Sequence, residues 1–516
     1  MRKSYLLPLF LFAAQALTLS AAPSACADDT TESASQDTRS TSGLSDPSAQ
    51  SILSVIRDKL SDPELSKDAH ADDLAALKAF YHDWLSRPLW MTDMGLSAKG
   101  QQALFEVEKA EEWGLTRAAF NLPPAGVLPE GPEQQAVAEI KLDLSILKYA
   151  RHASGGRSDP TALGGKIFQK PPIRDPSAVL AEIAMADAPD AYLRSLHPQH
   201  NQFARLRQAL IVAREDGVAS ELSTEDKRII MNMERWRWMP EDLGRIYVWS
   251  NTPEFMLYVI KDGATIYADK TQVGTIRYAT PVLSADMTTV VFNPEWIAPP
   301  TVLRENLAPA LRKKNYSILK KKGFSVSYQG KAVDPTKIDW RRVNIFDYTF
   351  TQRPGPHSNV GKVKFLLPNR HAFVLHDTWP ARRKYYQQSI RAVGHDCVRM
   401  EKPDRFAKVL LAESNGWSEN KVEELWEKSV NERVTLDDEI PVYSTYFTAV
   451  ADESGEITTY PDLYGLDHKL ARALFGDAGG FSMPISKVKR RSVSDAKRWK
   501  PPSSNVTRSL QGFPSN

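Results

Sequence analysis

The pattern of residues 245–267 marks the point where the chain changes from helical to extended structure. Arg245-Ile246-Tyr247-Val248-Trp249 and Phe255-Met256-Leu257-Tyr258-Val259-Ile260 are rich in the β-branched and aromatic residues that favour strands. Lys261-Asp262-Gly263 then forms a typical hairpin turn before Thr265-Ile266-Tyr267. Further strands are predicted at residues 290–292, 363–366 and 372–375. We therefore predict a mostly β domain at residues 231–475.

The residues before this hairpin have the apolar spacing of α-helices instead. Apolar residues recur at intervals of three and four from about Ile52 onward, and Pro88 interrupts the pattern. Further helices are predicted at about residues 98–113, 132–152, 176–186, 189–195 and 201–214. The predicted fold class is therefore α+β and multidomain, with an all-helical N-terminal domain at residues 51–230 followed by the mostly β domain.

The two ends of the chain differ in composition from these domains. A charged start, an apolar stretch and the exit site Ala25-Cys26-Ala27 predict a signal peptide at residues 1–27, and hence a periplasmic protein. Residues 28–50 are rich in Ser, Thr and Asp, which predicts a disordered linker. Residues 476–516 form a basic tail that is predicted to be disordered. This tail either contacts an anionic wall or membrane surface or only aids solubility.

The net charge and the spacing of the His and Cys residues exclude some classes of partner and cofactor. A net charge of +3 over 516 residues gives no strong attraction to nucleic acid, so no nucleic-acid partner is predicted. No group of His and Cys residues has the spacing of zinc ligands, so no metal and no cofactor are predicted. Gly164-Gly165-Lys166 lacks the first glycine of a phosphate-binding loop.

Cys397 is the one cysteine of the sequence outside the predicted signal peptide, so it has no intramolecular disulfide partner. A lone thiol in an exported protein is prone to oxidation, which favours the interpretation that it is a nucleophile. A nucleophilic cysteine needs a base, and two histidines qualify. His376 ends a predicted strand upstream, and His395 lies two residues before the cysteine. The alternative is a small buried cysteine beside ordinary surface histidines.

Several separate segments of the second domain occur in the same order in one known family. They are residues 232–240 (NMERWRWMP), 293–296 (NPEW), 299–300 (PP), 353–356 (RPGP), 364–369 (KFLLPN), 375–378 (LHDT), 397–400 (CVRM), 441–443 (PVY) and 446–449 (YFTA). They resemble the L,D-transpeptidases with a YkuD-type catalytic domain, in the large periplasmic branch of Gram-negative bacteria. Residues 74–122 are similar to the N-terminal region of that branch. The short interval from Leu210 to Asn232 leaves no room for the inserted peptidoglycan-binding module of many relatives.

The resemblance implies a role in peptidoglycan cross-linking, with stem peptides as partners and carbapenems as inhibitors. Cys397 is the implied nucleophile: it forms a thioester with a tetrapeptide stem, releases D-alanine and passes the acyl group to an amine of a neighbouring stem. His376 is the implied base, with His395 as the alternative. Gly394 and Asp396 belong to the loop that shapes the oxyanion site, and Arg399 positions this loop or a substrate carboxylate. A basic helical insertion at about residues 301–345 corresponds to the family's cap over the cleft.

Two positions depart from the family pattern. Asp396 stands where a glycine usually precedes the cysteine, and its carboxylate would raise the pKa of a thiol that it faced. Val374 stands where the branch often has tyrosine. Two other functions therefore remain open: an L,D-carboxypeptidase or hydrolase that uses water as acceptor, and a non-catalytic scaffold that binds the cell wall.

Overall fold

The computed structural model describes residues 47–124, 129–215, 221–355, 358–428, 430–476 and 480–481. The predicted signal peptide, most of the predicted linker and nearly all of the predicted basic tail lie outside these residues, so they stay predictions. The first helix begins at Pro47, inside the predicted linker. Among the described residues, no helix is both long enough and apolar enough to cross a bilayer.

Helices dominate the N-terminal region, as the apolar spacing predicts. They are α1 (Pro47–Lys59), α2 (Pro63–Ser66), α3 (Ala71–Asp83), α4 (Ala98–Glu108), α5 (Gly131–Gly155), α6 (Pro176–Met185), α7 (Pro189–Ser195), α8 (Asn201–Glu215) and α9 (Thr224–Trp236). The strands β1 (Met91–Thr92) and β2 (Gly95–Leu96) form a short hairpin, and 3-10 turns lie at Ala110–Trp113 and Arg117–Ala119.

A pair of buried carboxylates on α5 connects the helices of this region. Glu139 accepts hydrogen bonds from the hydroxyl of Tyr81 (2.7 Å) and from the backbone N–H of Met91 (2.8 Å). Asp143 accepts from the same hydroxyl (2.9 Å) and from the indole N–H of Trp90 (2.6 Å). Burial raises the pKa of Glu139 to about 7, and burial together with the charge of Glu139 raises the pKa of Asp143 well above its usual range.

The second region is built mainly from strands. They are β3 (Ile246–Asn251), β4 (Met256–Lys261), β5 (Ala264–Gly274), β6 (Leu283–Phe292), β7 (Trp296–Ile297), β8 (Phe324–Tyr328), β9 (Lys331–Ala332), β10 (Tyr348–Gln352), β11 (Val363–Leu366), β12 (Leu375–His376), β13 (Ala392–Gly394), β14 (Val398–Met400), β15 (Glu432–Thr445), β16 (Ala449–Ala451) and β17 (Ile457–Thr459). The helices are α10 (Pro300–Val302), α11 (Ala308–Arg312), α12 (Ser317–Lys322), α13 (Pro403–Asn415), α14 (Glu419–Glu427) and α15 (Leu466–Phe475).

The main sheet closes on itself. Its order is β13-β5-β14-β12-β11-β6-β15-β3-β4, and β4 also pairs with β5. Most neighbouring strands are antiparallel, but three pairs are parallel: β13 with β5, β12 with β14, and β15 with β3. The apolar side chains inside the sheet form one core together with α13 and α14. The predicted combination of a helical N-terminal region and a mostly β C-terminal domain is therefore confirmed.

The insertion between β6 and β11 is not purely helical, which corrects the predicted helical cap of residues 301–345. A π-helix at Leu303–Leu307 joins α10 to α11, and α12 follows. The rest is an antiparallel sheet in the order β7-β10-β8-β9, which packs on its own apolar core. Apolar and polar residues alternate in β8 (Phe-Ser-Val-Ser-Tyr), which is the pattern of a half-buried strand. This alternation directly follows the basic run of α12, whose lysines favour a helix.

The two regions share structure across the predicted domain boundary. Helix α9 is continuous from Thr224 to Trp236, so the boundary predicted at residues 230 and 231 falls inside a helix. Apolar residues of α8 and α9 form a joint core with Tyr247 and Tyr443 of the main sheet. Ile167, from the segment between α5 and α6, is buried in the core of the main sheet.

Candidate active site

A row of side chains that crosses five strands forms the floor of a cleft of about 710 Å³. Arg433 on β15 is opposite Val291 on β6, and Val291 is opposite Lys364 on β11. Lys364 is opposite His376 on β12, and His376 is opposite Arg399 on β14. Cross-strand partners point to the same face of a sheet. The strand order therefore places three cations and one histidine side by side in the cleft.

Cys397 lies at the edge of this row. It is two residues before Arg399, in the bend that leads into β14. The residue is half-buried and lines the same cleft as His376. Its Sγ is 3.9 Å from the backbone oxygen of Ala372, and the N–H of Val398 donates to the oxygen of Val374 at 3.3 Å. The structure thus brings the predicted nucleophile and the predicted base into one cavity.

His376 is held in the form that a general base requires. Its Nδ1 contacts the backbone oxygen of Asp377, which only accepts hydrogen bonds, so Nδ1 carries the proton and Nε2 keeps its lone pair. The side chain is buried, and burial lowers the pKa of His376 well below its ordinary value. The positive charge of Arg399 lowers this pKa further. The imidazole is therefore neutral near pH 7 and can accept a proton.

The thiol of Cys397 is protonated in this environment. Burial raises the pKa of Cys397, whereas the nearby charge of Arg399 lowers it. Asp396 adds to the rise, and Lys166 opposes it. A neutral thiol beside a neutral imidazole is suited to general-base catalysis, in which the proton leaves as the sulfur attacks.

Gly394 makes room for the guanidinium of Arg399. A Cβ at position 394 would lie 2.1 Å from Nη1 of Arg399 and 3.0 Å from the backbone oxygen of Val273. Nη1 of Arg399 is buried and has no hydrogen-bond partner among the described residues. A buried donor of this kind is costly unless a ligand supplies an acceptor. Arg399 is thus available to an anionic group that enters the cleft.

Asp396 is turned away from an oxyanion role. Its φ of 26° lies in the left-handed region that glycine adopts more easily. Its N–H donates to the backbone oxygen of Tyr278 at 3.1 Å, so this N–H is not available to a substrate. Its carboxylate forms an ion pair with Lys166, which comes from the segment between α5 and α6. The sequence offered no signal for this pairing.

His395 lines the cleft but is engaged elsewhere. Its ring stacks on that of Tyr278, with centroids 4.0 Å apart and an interplanar angle of 18°. The hydroxyl of Tyr278 in turn contacts Glu305 of the insertion. Burial lowers the pKa of His395 as well. In contrast to His376, its ring nitrogens make no hydrogen bond to a described residue that would orient it as a base.

Two family models match parts of the chain. Residues 75–210 match the scaffold-domain family, and residues 245–427 match the L,D-transpeptidase catalytic domain of the YkuD family. The chain contains an L,D-transpeptidase catalytic domain. It is also 34% identical over 259 residues to a Haemophilus influenzae protein named "Putative L,D-transpeptidase". These 259 residues are 49% of this chain and 50% of that protein. The chain thus spans about half the length of this relative.

The matched catalytic domain includes most of the site, but not all of it. Cys397, His376 and Arg399 lie within residues 245–427, and their roles at the site stay predictions. Arg433 lies beyond this range, and Lys166 belongs to the region that matches the scaffold domain. Among the described residues, no group of three or more His, Cys, Asp and Glu side chains is arranged to hold a metal ion.

Proposed function

We propose that this chain is a peptidoglycan L,D-transpeptidase that works through a thioester on Cys397. The observation that carries the proposal is the shared cleft, which Cys397 and the neutral imidazole of His376 both line within a domain of the matching family. The unpartnered guanidinium of Arg399 adds an anion-binding group to the same cleft.

The proposed reaction has two acyl-transfer steps. In the first, Nε2 of His376 takes the thiol proton as Sγ attacks the carbonyl before the terminal D-alanine of a tetrapeptide stem. The carbon–nitrogen bond breaks, and the amine of D-alanine leaves with the proton from His376. In the second, an amine of a neighbouring stem attacks the thioester and gives its proton to His376, and the thiol is restored.

The charge of the cleft floor is complementary to a stem peptide, which carries several carboxylates. Lys364 and Arg433 form no ion pair with any described residue, although both line the cleft. Burial lowers the pKa of Lys364, and the charge of Arg433 lowers it further. Such neighbouring cations are stabilised when an anionic ligand binds between them. We therefore assign the donor stem to the row from Arg399 to Arg433.

The proposed compartment follows from the proposed substrate. Peptidoglycan lies outside the cytoplasmic membrane, and the predicted signal peptide of residues 1–27 would export the chain to the periplasm. The basic tail of residues 476–516 would then contact the anionic wall or membrane surface.

The test incubates the purified protein with disaccharide-tetrapeptides, and separately with a carbapenem, followed by mass spectrometry of products and protein. Wild type should form cross-linked dimers and a carbapenem adduct, and Cys397→Ala should form neither. His376→Ala should lose both, while the matched variant His395→Ala keeps them. Tripeptide products alone would show that water is the acceptor. A wild-type protein without adduct and without product would leave the non-catalytic scaffold as the function.

A further inference from the structure

A segment of the helical region, residues 157–175 between α5 and α6, is anchored in the catalytic domain. Ile167 is 4% exposed and packs in the core of the main sheet. The N–H of Val282 donates to the oxygen of Lys166 (2.9 Å), and the N–H of Phe168 donates to the oxygen of Val282 (2.8 Å). The side chains of Gln169 and Ser284 hydrogen-bond to each other. These contacts fix the backbone from Lys166 to Gln169.

From this anchored backbone, Lys166 and Phe168 reach the two loops that flank the nucleophile. The ammonium of Lys166 pairs with the carboxylate of Asp396, which directly precedes Cys397. The ring of Phe168 stacks on that of His371, with centroids 3.5 Å apart and an interplanar angle of 9°. His371 directly precedes Ala372, whose backbone oxygen is the one 3.9 Å from Sγ of Cys397.

The backbone near the nucleophile needs such support. Lys166, Ala372 and Asp396 have φ values of 65°, 52° and 26°, in the left-handed region that non-glycine residues seldom adopt. Strained residues of this kind persist where the surrounding contacts hold them. The contacts of Lys166 and Phe168 fall on, or next to, the two strained residues of the flanking loops.

We propose that Lys166 and Phe168 are positioning residues of the active site, contributed by the helical region to the catalytic domain. Lys166 holds Asp396 in its left-handed conformation and neutralises the carboxylate of the residue directly before the nucleophile. Phe168 holds the opposite loop through His371. This inference rests on the proposed role of Cys397 as nucleophile. It means that residues 245–427 are not a complete active site without the 157–175 segment.

The test measures the reactivity of the thiol directly, because this readout needs no peptidoglycan. Iodoacetamide alkylation of Cys397 is followed between pH 6 and pH 10 by mass spectrometry of the peptide that contains it. The variants are Lys166→Ala, Lys166→Arg, Phe168→Ala and Asp396→Asn, with Lys170→Ala as the matched control on the same segment, where Lys170 is exposed. The charged and titratable groups around the thiol that stay unchanged in the lysine variants are Arg399, Asp396, His376, His395 and Arg382.

Lys166→Ala removes a positive charge near the thiol, so it should shift the alkylation profile to higher pH and slow the reaction at pH 7 roughly two- to fivefold. The effect is modest because the ammonium of Lys166 is partly exposed and screened by solvent. Lys166→Arg should restore the profile, and Lys170→Ala should match wild type. In the Asp396→Asn background, Lys166→Ala should have a much smaller effect. Phe168→Ala should slow carbapenem acylation without shifting the alkylation profile, because it removes no charge.

An unshifted profile in a folded Lys166→Ala protein would overturn the inference, and so would an equal shift in the Asp396→Asn background. The thermal unfolding temperature of each variant shows whether it is folded. If the profile shifts as expected but wild type makes no cross-link, the positioning role stands and the proposed function fails. If wild type cross-links but Lys166→Ala behaves like Lys170→Ala in every assay, the proposed function stands and the positioning role fails.

Discussion

Gly394 lies so close to the guanidinium of Arg399 that only a glycine fits at position 394. A Cβ there would lie 2.1 Å from Nη1 of Arg399. This contact links the start of the nucleophile loop to the cation nearest the thiol. Gly394 is in β13, where its backbone oxygen accepts from the N–H of Thr275 at 3.0 Å. The glycine therefore cannot shift without loss of that bond, and the guanidinium is the group that must move.

Gly394→Ala should thus displace Arg399 and slow acylation of Cys397 by on the order of tenfold or more, since a misplaced charge near the reacting atoms loses its effect. The measurement is the second-order rate constant of carbapenem acylation. Gly263→Ala is the matched control, because a Cβ at that turn position meets nothing within 4 Å and only backbone strain results. Equal rates in the two variants would contradict the role assigned to Gly394.

The pH dependence of acylation should follow from the lowered pKa of His376. Burial, Arg399 and Lys364 all lower this pKa below the ordinary 6.5, and the hydrogen bond to Asp377 only partly offsets them. Because the neutral imidazole is the active form, the rate should stay constant as the pH falls through 6.5 and decline only at lower pH. Carbapenem acylation measured from pH 4 to pH 8 gives the profile. A midpoint at or above 6.5 would show that His376 is not the base or is not buried as described.

The same shift has a consequence for stability. A histidine whose pKa is lower in the folded state than in the unfolded state binds fewer protons when folded. The stability of the fold should therefore decrease as the pH falls below 6.5 and continue to decrease down to the folded-state pKa. His376→Gln should weaken this decrease, which urea unfolding at pH 7 and pH 5 would detect. Similar slopes in the variant and in wild type would assign the effect to other buried histidines, such as His197 and His200.

The cations of the cleft floor should act in binding rather than in chemistry. Lys364→Met keeps the length of the side chain but removes its charge, and it should raise KM for the tetrapeptide donor about tenfold, the value of one charged hydrogen bond. The value of kcat should change little, because burial and Arg399 still lower the pKa of His376 without Lys364, so the imidazole stays neutral at pH 7. The exposed Lys331 of the insertion provides the matched control Lys331→Met. A fall in kcat at constant KM would place Lys364 in the chemical step instead.

The buried pair on α5 allows a comparison of two similar substitutions. Glu139→Ala leaves the backbone N–H groups of Trp90 and Met91 without an acceptor, so it should lower the free energy of unfolding by about 3 kcal/mol. Asp143→Asn should cost only about 1 kcal/mol, since the amide keeps an acceptor oxygen for its partners and burial together with the charge of Glu139 already disfavours the charged form of Asp143. Urea unfolding at pH 7 measures both values. A larger loss in Asp143→Asn would mean that Asp143 is the charged member of the pair.

Local sequence patterns predicted most of the elements. The helices of the N-terminal region and the strands near residues 246–251 and 256–261 lie where apolar spacing and β-propensity place them. The mixed insertion is the exception. Its strand β8 pairs with β10, which lies some twenty residues further along the chain. Without that partner, a segment as short as β8 cannot be identified as a strand from its local sequence. The turn residues Asp262 and Gly263 act over a few positions, which is why the hairpin can be predicted from the chain alone.

The sequence by itself indicated the family, the candidate nucleophile Cys397 and a short list of bases for it, because these depend on residue types and their order along the chain. Only the tertiary structure distinguishes the surroundings of the two candidate bases, since the Nδ1 of His376 contacts a backbone oxygen in a buried position while the ring of His395 stacks on Tyr278. The tertiary structure also places the cations of the cleft floor in one row, which depends on the register of five strands. It brings Lys166 to Asp396, which is 230 residues away in the chain. Contacts of this range arise when the whole core packs, and no local propensity encodes them.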